Sequence, residues 1–216
     1  MIIGILVYQD VDLLDVAGPK EIFSWIPERF GITVEIIADK ANNKTIKSRD
    51  GLTFTAPKTF EDIPTVDVLW VPGGLATALK RELAQGTYVE YLKQQSGAKF
   101  ICSVCEGAVL LAASGLLDDH LITTHWAFIP CMSKFNVKVA QGFPRFVLDR
   151  NRLTGGGISS GLDEAFKLVE LLTDYETAQG IQQTTQYYPC PPVASTIELD
   201  PTDTCPIPGW AAFNPR

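Results

Sequence analysis

Clusters of lysine or arginine, long apolar runs and internal repeats are all missing from this sequence of 216 residues. The formal net charge is −7, and without a basic patch neither a nucleic acid nor an anionic membrane is expected as a partner. No apolar run approaches the roughly 20 residues that cross a bilayer. The apolar start, residues 1–7, lacks a basic leader, which favours a first strand over a signal peptide.

Cysteine is scarce and irregularly spaced. The five residues form an odd number without a repeated spacing: Cys102, Cys105, Cys131, Cys190 and Cys205. Because no export signal is evident, free thiols in a reducing cytosol are expected, and the predicted location is cytoplasmic.

Apolar strands and helices alternate along most of the chain. This order predicts one α/β domain over residues 1–188 with a mostly parallel central sheet. A proline-rich C-terminal extension, residues 189–216, is predicted to be weakly structured. The predicted strands include 2–8, 33–38, 66–71, 100–104 and 146–149, and the predicted helices include 19–25, 75–94 with a break near Gly86, 108–113, 159–172 and 175–186.

Four short segments follow predicted strands and carry polar or glycine residues. They are Asp15, Gly73-Gly74, Cys105 and residues 155–158. Parallel sheets bind ligands at the carboxyl ends of their strands. The sequence therefore predicts that these segments meet in one crevice.

Cys105 lies between a buried strand and a helix of small residues, with almost no residues left for a turn. Such an elbow lifts its central side chain above the sheet edge and points free helix N–H groups at it. The helix dipole then predicts a thiol more acidic than a free cysteine, and hence a nucleophile. The alternative is a small buried residue, which free cysteines often are. Cys102 is assigned to the core of the strand.

Five motifs together resemble the ThiJ/PfpI superfamily, and within it the isonitrile (isocyanide) hydratases. They occur in the family's order between Ile2 and Gln186 and are residues 14–19, 71–74, 103–107, 123–126 and 153–158. The resemblance implies a flavodoxin-like three-layer sandwich, similar to the class I glutamine amidotransferases. It also implies a homodimer and a small-molecule substrate, with no metal and no organic cofactor. Regulators of this superfamily append a helix-turn-helix module, for which the chain is too short.

The resemblance assigns Cys105 as the nucleophile and Asp15 as its acid/base partner. Asp15 can alternatively cap the following helix, while Asp10 and Asp12 are acidic neighbours without the motif. Gly73 and Gly74 either end a strand in a turn or offer a backbone N–H to developing charge, beside the amide of Glu106.

Glu106 departs from the family pattern, which has threonine after the nucleophile. A glutamate can act as a second acid/base, raise the pKa of Cys105, or turn away to the helix start. His125 either assists the thiol or orients a pocket wall with Trp126. His120, outside any motif, is expected at the surface.

The glycine-rich segment 155–158 is the last part of the predicted site. Gly156 and Gly157 are expected to shape the floor of the substrate pocket, and Ile158 to pack against the substrate or Cys105.

The leading functional hypothesis is a cofactor-free lyase that hydrates an isonitrile to an N-substituted formamide through a cysteine thioimidate. Two alternatives remain open at this point. One is a glyoxalase or deglycase acting on 2-oxoaldehydes with the same thiol. The other is a redox sensor without turnover, whose Cys105 is oxidised.

Overall fold

The computed structural model describes residues 1–40, 45–200 and 202–215. Its strands are β1 (Ile2–Val7), β2 (Thr33–Ala38), β3 (Thr45–Lys47), β4 (Thr53–Thr55), β5 (Lys58–Thr59), β6 (Val68–Val71), β7 (Phe100–Ser103), β8 (Leu121–Ile122), β9 (Lys138–Val139), β10 (Phe146–Asp149) and β11 (Arg152–Gly155). Its α-helices are α1 (Leu13–Ser24), α2 (Ala76–Gln85), α3 (Thr87–Gln94), α4 (Gly107–Ala113), α5 (Ser160–Leu172) and α6 (Tyr175–Thr184).

The middle layer is a seven-stranded sheet with the order β10-β11-β7-β6-β1-β2-β5. Every neighbouring pair in it is parallel except β10 and β11. The central strand β6 is buried along its whole length, as expected where helices cover both faces of a parallel sheet. The predicted α/β fold with a mostly parallel sheet is confirmed.

The helices form two groups. Helix α5 packs against both α1 and α6. Helices α2, α3 and α4 form a second group, in which each helix contacts the other two. Gly86 separates α2 from α3 in the left-handed conformation, with φ of 78°, so the predicted break in this helical region is confirmed. Within the described ranges, no helix is long and apolar enough to cross a membrane.

Helix α1 begins at Leu13 rather than at Pro19, so its predicted start was wrong. Pro19 lies inside the helix, where it has no N–H to donate to the carbonyl of Asp15 four residues earlier. The indole Nε1–H of Trp70 donates to that carbonyl instead, at 3.0 Å. This substitute bond allows the helix to start early, and it places Asp15 in the first turn.

The C-terminal segment is joined covalently to the domain. Cys131 forms a disulfide with Cys205, 74 residues later, so the expectation that all five thiols are free was wrong. Ile207 and Trp210 are buried, and Trp210 stacks on Phe213. From residue 189 onward, the only regular element described is a 3-10 turn at Trp210–Ala212. The extension is therefore irregular but docked on its own domain.

Candidate active site

The four predicted strand ends do meet at one edge of the sheet. Strands β1, β6, β7 and β11 are neighbours and run parallel. Their carboxyl ends lead to α1 with Asp15, to Gly73, to Cys105 and to Gly156, respectively. The four segments therefore lie side by side, and Asp15, Gly73 and Cys105 among them are buried.

Cys105 forms the sharp turn between β7 and α4. Its φ of 58° lies in the left-handed region, which is strained for a residue with a Cβ. Two hydrogen bonds hold this backbone: the N–H of Cys105 donates to the Gly156 carbonyl at 2.7 Å, and the Thr124 hydroxyl donates to the Cys105 carbonyl at 2.9 Å. A Cβ on Gly107 would lie 2.1 Å from the Val71 carbonyl oxygen. The glycine thus permits the helix to start directly against β6.

Asp15 and Glu106, the two carboxyl groups predicted for the site, both lie in the interior. Asp15 is fully buried and Glu106 is 5% exposed, against 1% for Cys105. The Gly73 N–H donates to Asp15 Oδ2 at 2.8 Å. Among the described residues, Asp15 Oδ1 and Glu106 Oε2 have no hydrogen-bond partner. Each carboxyl group therefore keeps one oxygen available for a proton or a ligand.

Gly73 and Gly74 have different surroundings. A Cβ on Gly73 would lie 2.7 Å from Glu106 Oε2 and 2.9 Å from Cys105 Cβ, so a glycine is needed for this close approach. Its N–H is already bonded to the Asp15 carboxylate rather than left for developing charge. Gly74 pairs with Val11 in an isolated bridge, which ties the end of β6 to the loop after β1.

The prediction that Cys105 is more acidic than a free cysteine was wrong. Burial raises the pKa of the Cys105 thiol well above its usual range, and the negative charges of Asp15 and Glu106 raise it further. The thiol donates a hydrogen bond to the Glu106 carboxylate, while the Ile158 N–H donates one to the sulfur. Desolvation and two nearby acids outweigh the dipole of α4, which has only seven residues and contributes about 0.3–1 kcal/mol. The resting cysteine is therefore a protonated thiol.

Both acids have raised pKa values because they are buried. Burial raises the pKa of Glu106 to about 7, although the hydrogen bond from Cys105 opposes this. Burial also raises the pKa of Asp15 well above its usual range, despite the Gly73 N–H. Glu106 thus changes its charge near neutral pH, and both carboxyl groups hold a proton more readily than exposed ones do. Buried acids with raised pKa values beside a nucleophile are typical of acid/base sites.

A cavity of about 380 Å³ is lined by Thr124 and Gly156, which hydrogen-bond to the backbone of Cys105, but not by Cys105 itself. All of the residues predicted to form the pocket line it, namely His125, Trp126, Gly156, Gly157 and Ile158. Ile158 connects this cavity to the sulfur through the hydrogen bond of its N–H. Ile197 of the C-terminal extension forms part of the wall, which the sequence did not indicate.

The two histidines are both neutral in their surroundings. His125 Nδ1 accepts a hydrogen bond from the Ala127 N–H at 3.2 Å, and burial lowers the pKa of His125. It also packs so closely on Gly157 that a Cβ there would lie 2.8 Å from its ring. His120 is buried beside Asp149, with 3.3 Å between Nδ1 and Oδ2, so the expectation of a surface position was wrong.

Sequence reasoning missed three residues at or next to the site. Asp12, set aside for lack of a motif, is buried and pairs through Oδ1 with Arg49 at 2.7 Å. Thr124 holds the elbow carbonyl, and only its place in the motif 123–126 could have suggested this. No local pattern links Arg49 to the site, because the two ends of the ion pair are far apart in the chain.

The family model for the DJ-1/PfpI family matches residues 1–171. The chain belongs to the DJ-1/PfpI family. It is 34% identical over 197 residues to an isonitrile hydratase of Pseudomonas putida, covering 89% of this chain and 81% of that protein. A transcriptional regulator of Pseudomonas aeruginosa, GbdR, is 29% identical over 129 residues, which cover 59% of this chain and 34% of the regulator.

Solved structures support the same fold. A ThiJ/PfpI family protein from Pseudomonas syringae superposes with a TM-score of 0.81 at 30% identity, covering 89% of this chain and 77% of that one. DJ-1beta of Drosophila melanogaster gives a TM-score of 0.72 at 18% identity, covering 86% and 97% of the two chains. The second likeness concerns the fold alone.

Proposed function

We propose that this DJ-1/PfpI protein is a cofactor-free lyase that adds water to an isonitrile and releases an N-substituted formamide. The observation that carries the proposal is the buried Cys105 thiol, hydrogen-bonded to the Glu106 carboxyl group and accompanied by Asp15, a second buried acid whose pKa is also raised. The similarity to an isonitrile hydratase over most of the chain supports the same substrate class.

In the first half-reaction, sulfur bonds to the terminal carbon of the isonitrile. The thiol proton passes to the Glu106 carboxylate, because the two groups already share a hydrogen bond. Asp15, protonated through Oδ1, gives its proton to the same carbon. The product is a thioimidate on Cys105, with Asp15 ionised and Glu106 protonated.

In the second half-reaction, water attacks the thioimidate carbon. The Asp15 carboxylate takes one proton from the water, and Glu106 returns its proton to the substrate nitrogen. The tetrahedral intermediate then collapses to the formamide, and its hydroxyl proton goes to the departing sulfur. Thiol, carboxylate and carboxylic acid are all restored, so the cycle consumes only isonitrile and water.

The shape of the site suits this substrate class. Only 1% of Cys105 is exposed, so a reacting group has to be slender to reach the sulfur. An isonitrile presents its electrophilic carbon at the end of a linear group without substituents. The remainder of the molecule would occupy the cavity beside Trp126 and Ile158, where apolar surface favours an aryl or alkyl group.

The test is the conversion of cyclohexyl isocyanide to N-cyclohexylformamide by the purified protein, followed by chromatography. We expect turnover by the wild-type protein and by the control Cys190→Ala, which removes an exposed free thiol. Cys105→Ala should have no activity while keeping its circular dichroism spectrum. Hydration that survives Cys105→Ala would refute the mechanism.

The two alternative functions are tested by offering the protein methylglyoxal as a substrate and by treating it with mild peroxide. Conversion of methylglyoxal to lactate without isocyanide turnover would replace the proposal with a glyoxalase. Selective oxidation of Cys105, with neither substrate converted, would instead favour a redox sensor.

A further inference from the structure

The proposed reaction leaves Asp12, a buried acid close to the thiol, without a role. Asp12 precedes α1, yet across the described chain it makes no side-chain capping bond to that helix. Its carboxylate belongs to a compact cluster, in which one ligand atom each from Asp12, Cys105 and Glu106 lie within 4.8 Å of one another. The three residues are 2%, 1% and 5% exposed, respectively.

Two oxygens of this cluster are unsatisfied. Asp12 Oδ1 contacts Arg49, but Oδ2 has no partner in the part of the chain that the structure describes, and the same holds for Glu106 Oε2. A buried acceptor without a donor costs about 1–3 kcal/mol. A cation bound between them would satisfy both oxygens at once.

The donor set selects the kind of cation. One thiolate and two carboxylates suit Zn²⁺, which binds sulfur at about 2.3 Å and carboxylate oxygen at about 2.0–2.2 Å. Magnesium and calcium prefer oxygen ligands alone. In a tetrahedral site these bond lengths place ligand atoms about 3.3–3.6 Å apart, so the cluster has to contract by about 1 Å.

The local charge agrees with this assignment. Three anionic ligands and the Arg49 guanidinium together leave a charge of the size that a divalent cation neutralises. The metal would displace the thiol proton of Cys105 into solvent, as coordinated thiols do.

We propose that Asp12, Cys105 and Glu106 bind one Zn²⁺ ion, which blocks the sulfur and makes zinc a reversible inhibitor of this site. The binding stands on the geometry of the three ligands, and only the inhibition rests on the proposed function. Glu106 is decisive, since the threonine that isonitrile hydratases generally carry there would remove one carboxylate ligand.

The test is direct binding of Zn²⁺ to the full chain carrying Cys190→Ser, which removes the exposed free thiol. Competition with a chromophoric chelator should give one ion per chain. Glu106→Gln and Asp12→Asn should each weaken binding at least about tenfold, and Cys105→Ser more, since even residues outside the ligand shell change metal affinity 10–100-fold. The control Glu176→Gln, an exposed acid in the first turn of α6, should leave the affinity unchanged.

Cobalt provides an independent readout. Co²⁺ should produce a thiolate-to-metal charge-transfer band that is absent in Cys105→Ser. No binding by the wild-type chain, or binding to the Cys105→Ser and Glu106→Gln variants as tight as to the wild type, would overturn the inference. The second result would show an adventitious ion only. Circular dichroism of Asp12→Asn shows whether its fold is intact, and Glu106→Gln decides alone if it is not.

The zinc site and the proposed function are rejected by different results. Binding with the expected variant pattern in a protein that does not hydrate isocyanides would keep the zinc site and reject the proposed function. Hydration that is insensitive to zinc at saturating occupancy would reject the inhibition.

Discussion

Replacing Glu106 with glutamine should stabilise the protein in a pH-dependent way. The pKa of this buried carboxyl group rises from its ordinary value of 4.5 to about 7. A folded-state pKa above the unfolded one means that stability from the protonated group is lost as pH rises from about 4.5 to about 7. At about 1.4 kcal/mol per pH unit, the loss reaches about 3 kcal/mol above pH 7. Glutamine stays neutral and still accepts the hydrogen bond of the Cys105 thiol.

The assay is urea unfolding of both proteins at pH 4.5 and at pH 8. Glu106→Gln should be more stable by up to about 3 kcal/mol at pH 8, with no advantage at pH 4.5. The same change at Glu176, which is exposed, should alter stability by less than about 0.5 kcal/mol at either pH. An equal gain in unfolding free energy for Glu106→Gln at both pH values, or no gain at pH 8, would refute the claim that Glu106 is buried with a raised pKa.

Three further substitutions test other parts of the account. Asp15→Asn should lower kcat for isocyanide hydration about 10²–10⁴-fold with little change in KM, because the proton donor is lost; steady-state kinetics with unchanged kcat would contradict this role. Gly73→Ala places a Cβ 2.7 Å from Glu106 Oε2, so thermal unfolding should show a loss of about 1–3 kcal/mol, and wild-type stability would contradict that contact. Cys205→Ser opens a disulfide loop of 74 residues, which should cost up to about 4 kcal/mol and speed proteolysis after residue 189, whereas Cys190→Ser should not.

The fold could be predicted because its signals are local. Apolar runs of four to six residues end in glycine or acidic residues, and parallel strands necessarily bring those ends to one edge. Cys105 could be placed at the elbow for the same reason, since β7 and α4 leave no room for a longer turn. The break between α2 and α3 could also be predicted locally, because a single glycine, Gly86, favours the end of a helix.

The errors concern contacts between distant parts of the chain. Pro19 indicated a helix start because proline favours the first helical turn. The indole of Trp70, which supplies the missing donor and lets the helix begin earlier, lies 55 residues from Asp15 and gives no local signal. The pairing of Cys131 with Cys205 cannot be deduced from spacing alone. The acidity of Cys105 was predicted from the helix dipole, but burial decides it, and burial depends on the whole fold.

Glu106 lies at the thiol rather than turning away from it. The sequence left open whether its side chain turns away from the thiol. In the structure it accepts the hydrogen bond of Cys105 and has a pKa of about 7. A base of this strength can take the thiol proton at neutral pH, which a threonine hydroxyl cannot do.

The most direct measurement of the central claim is mass spectrometry of acid-quenched protein after mixing with cyclohexyl isocyanide. The account predicts a transient adduct on Cys105 alone, heavier than the free protein by the mass of one isocyanide, which decays as the formamide appears. The Asp15→Asn variant should form little of this adduct, because no acid is left to protonate the isocyanide carbon when sulfur attacks it. Formamide production without any adduct on Cys105, or an adduct on another residue that forms and decays with turnover, would contradict the account.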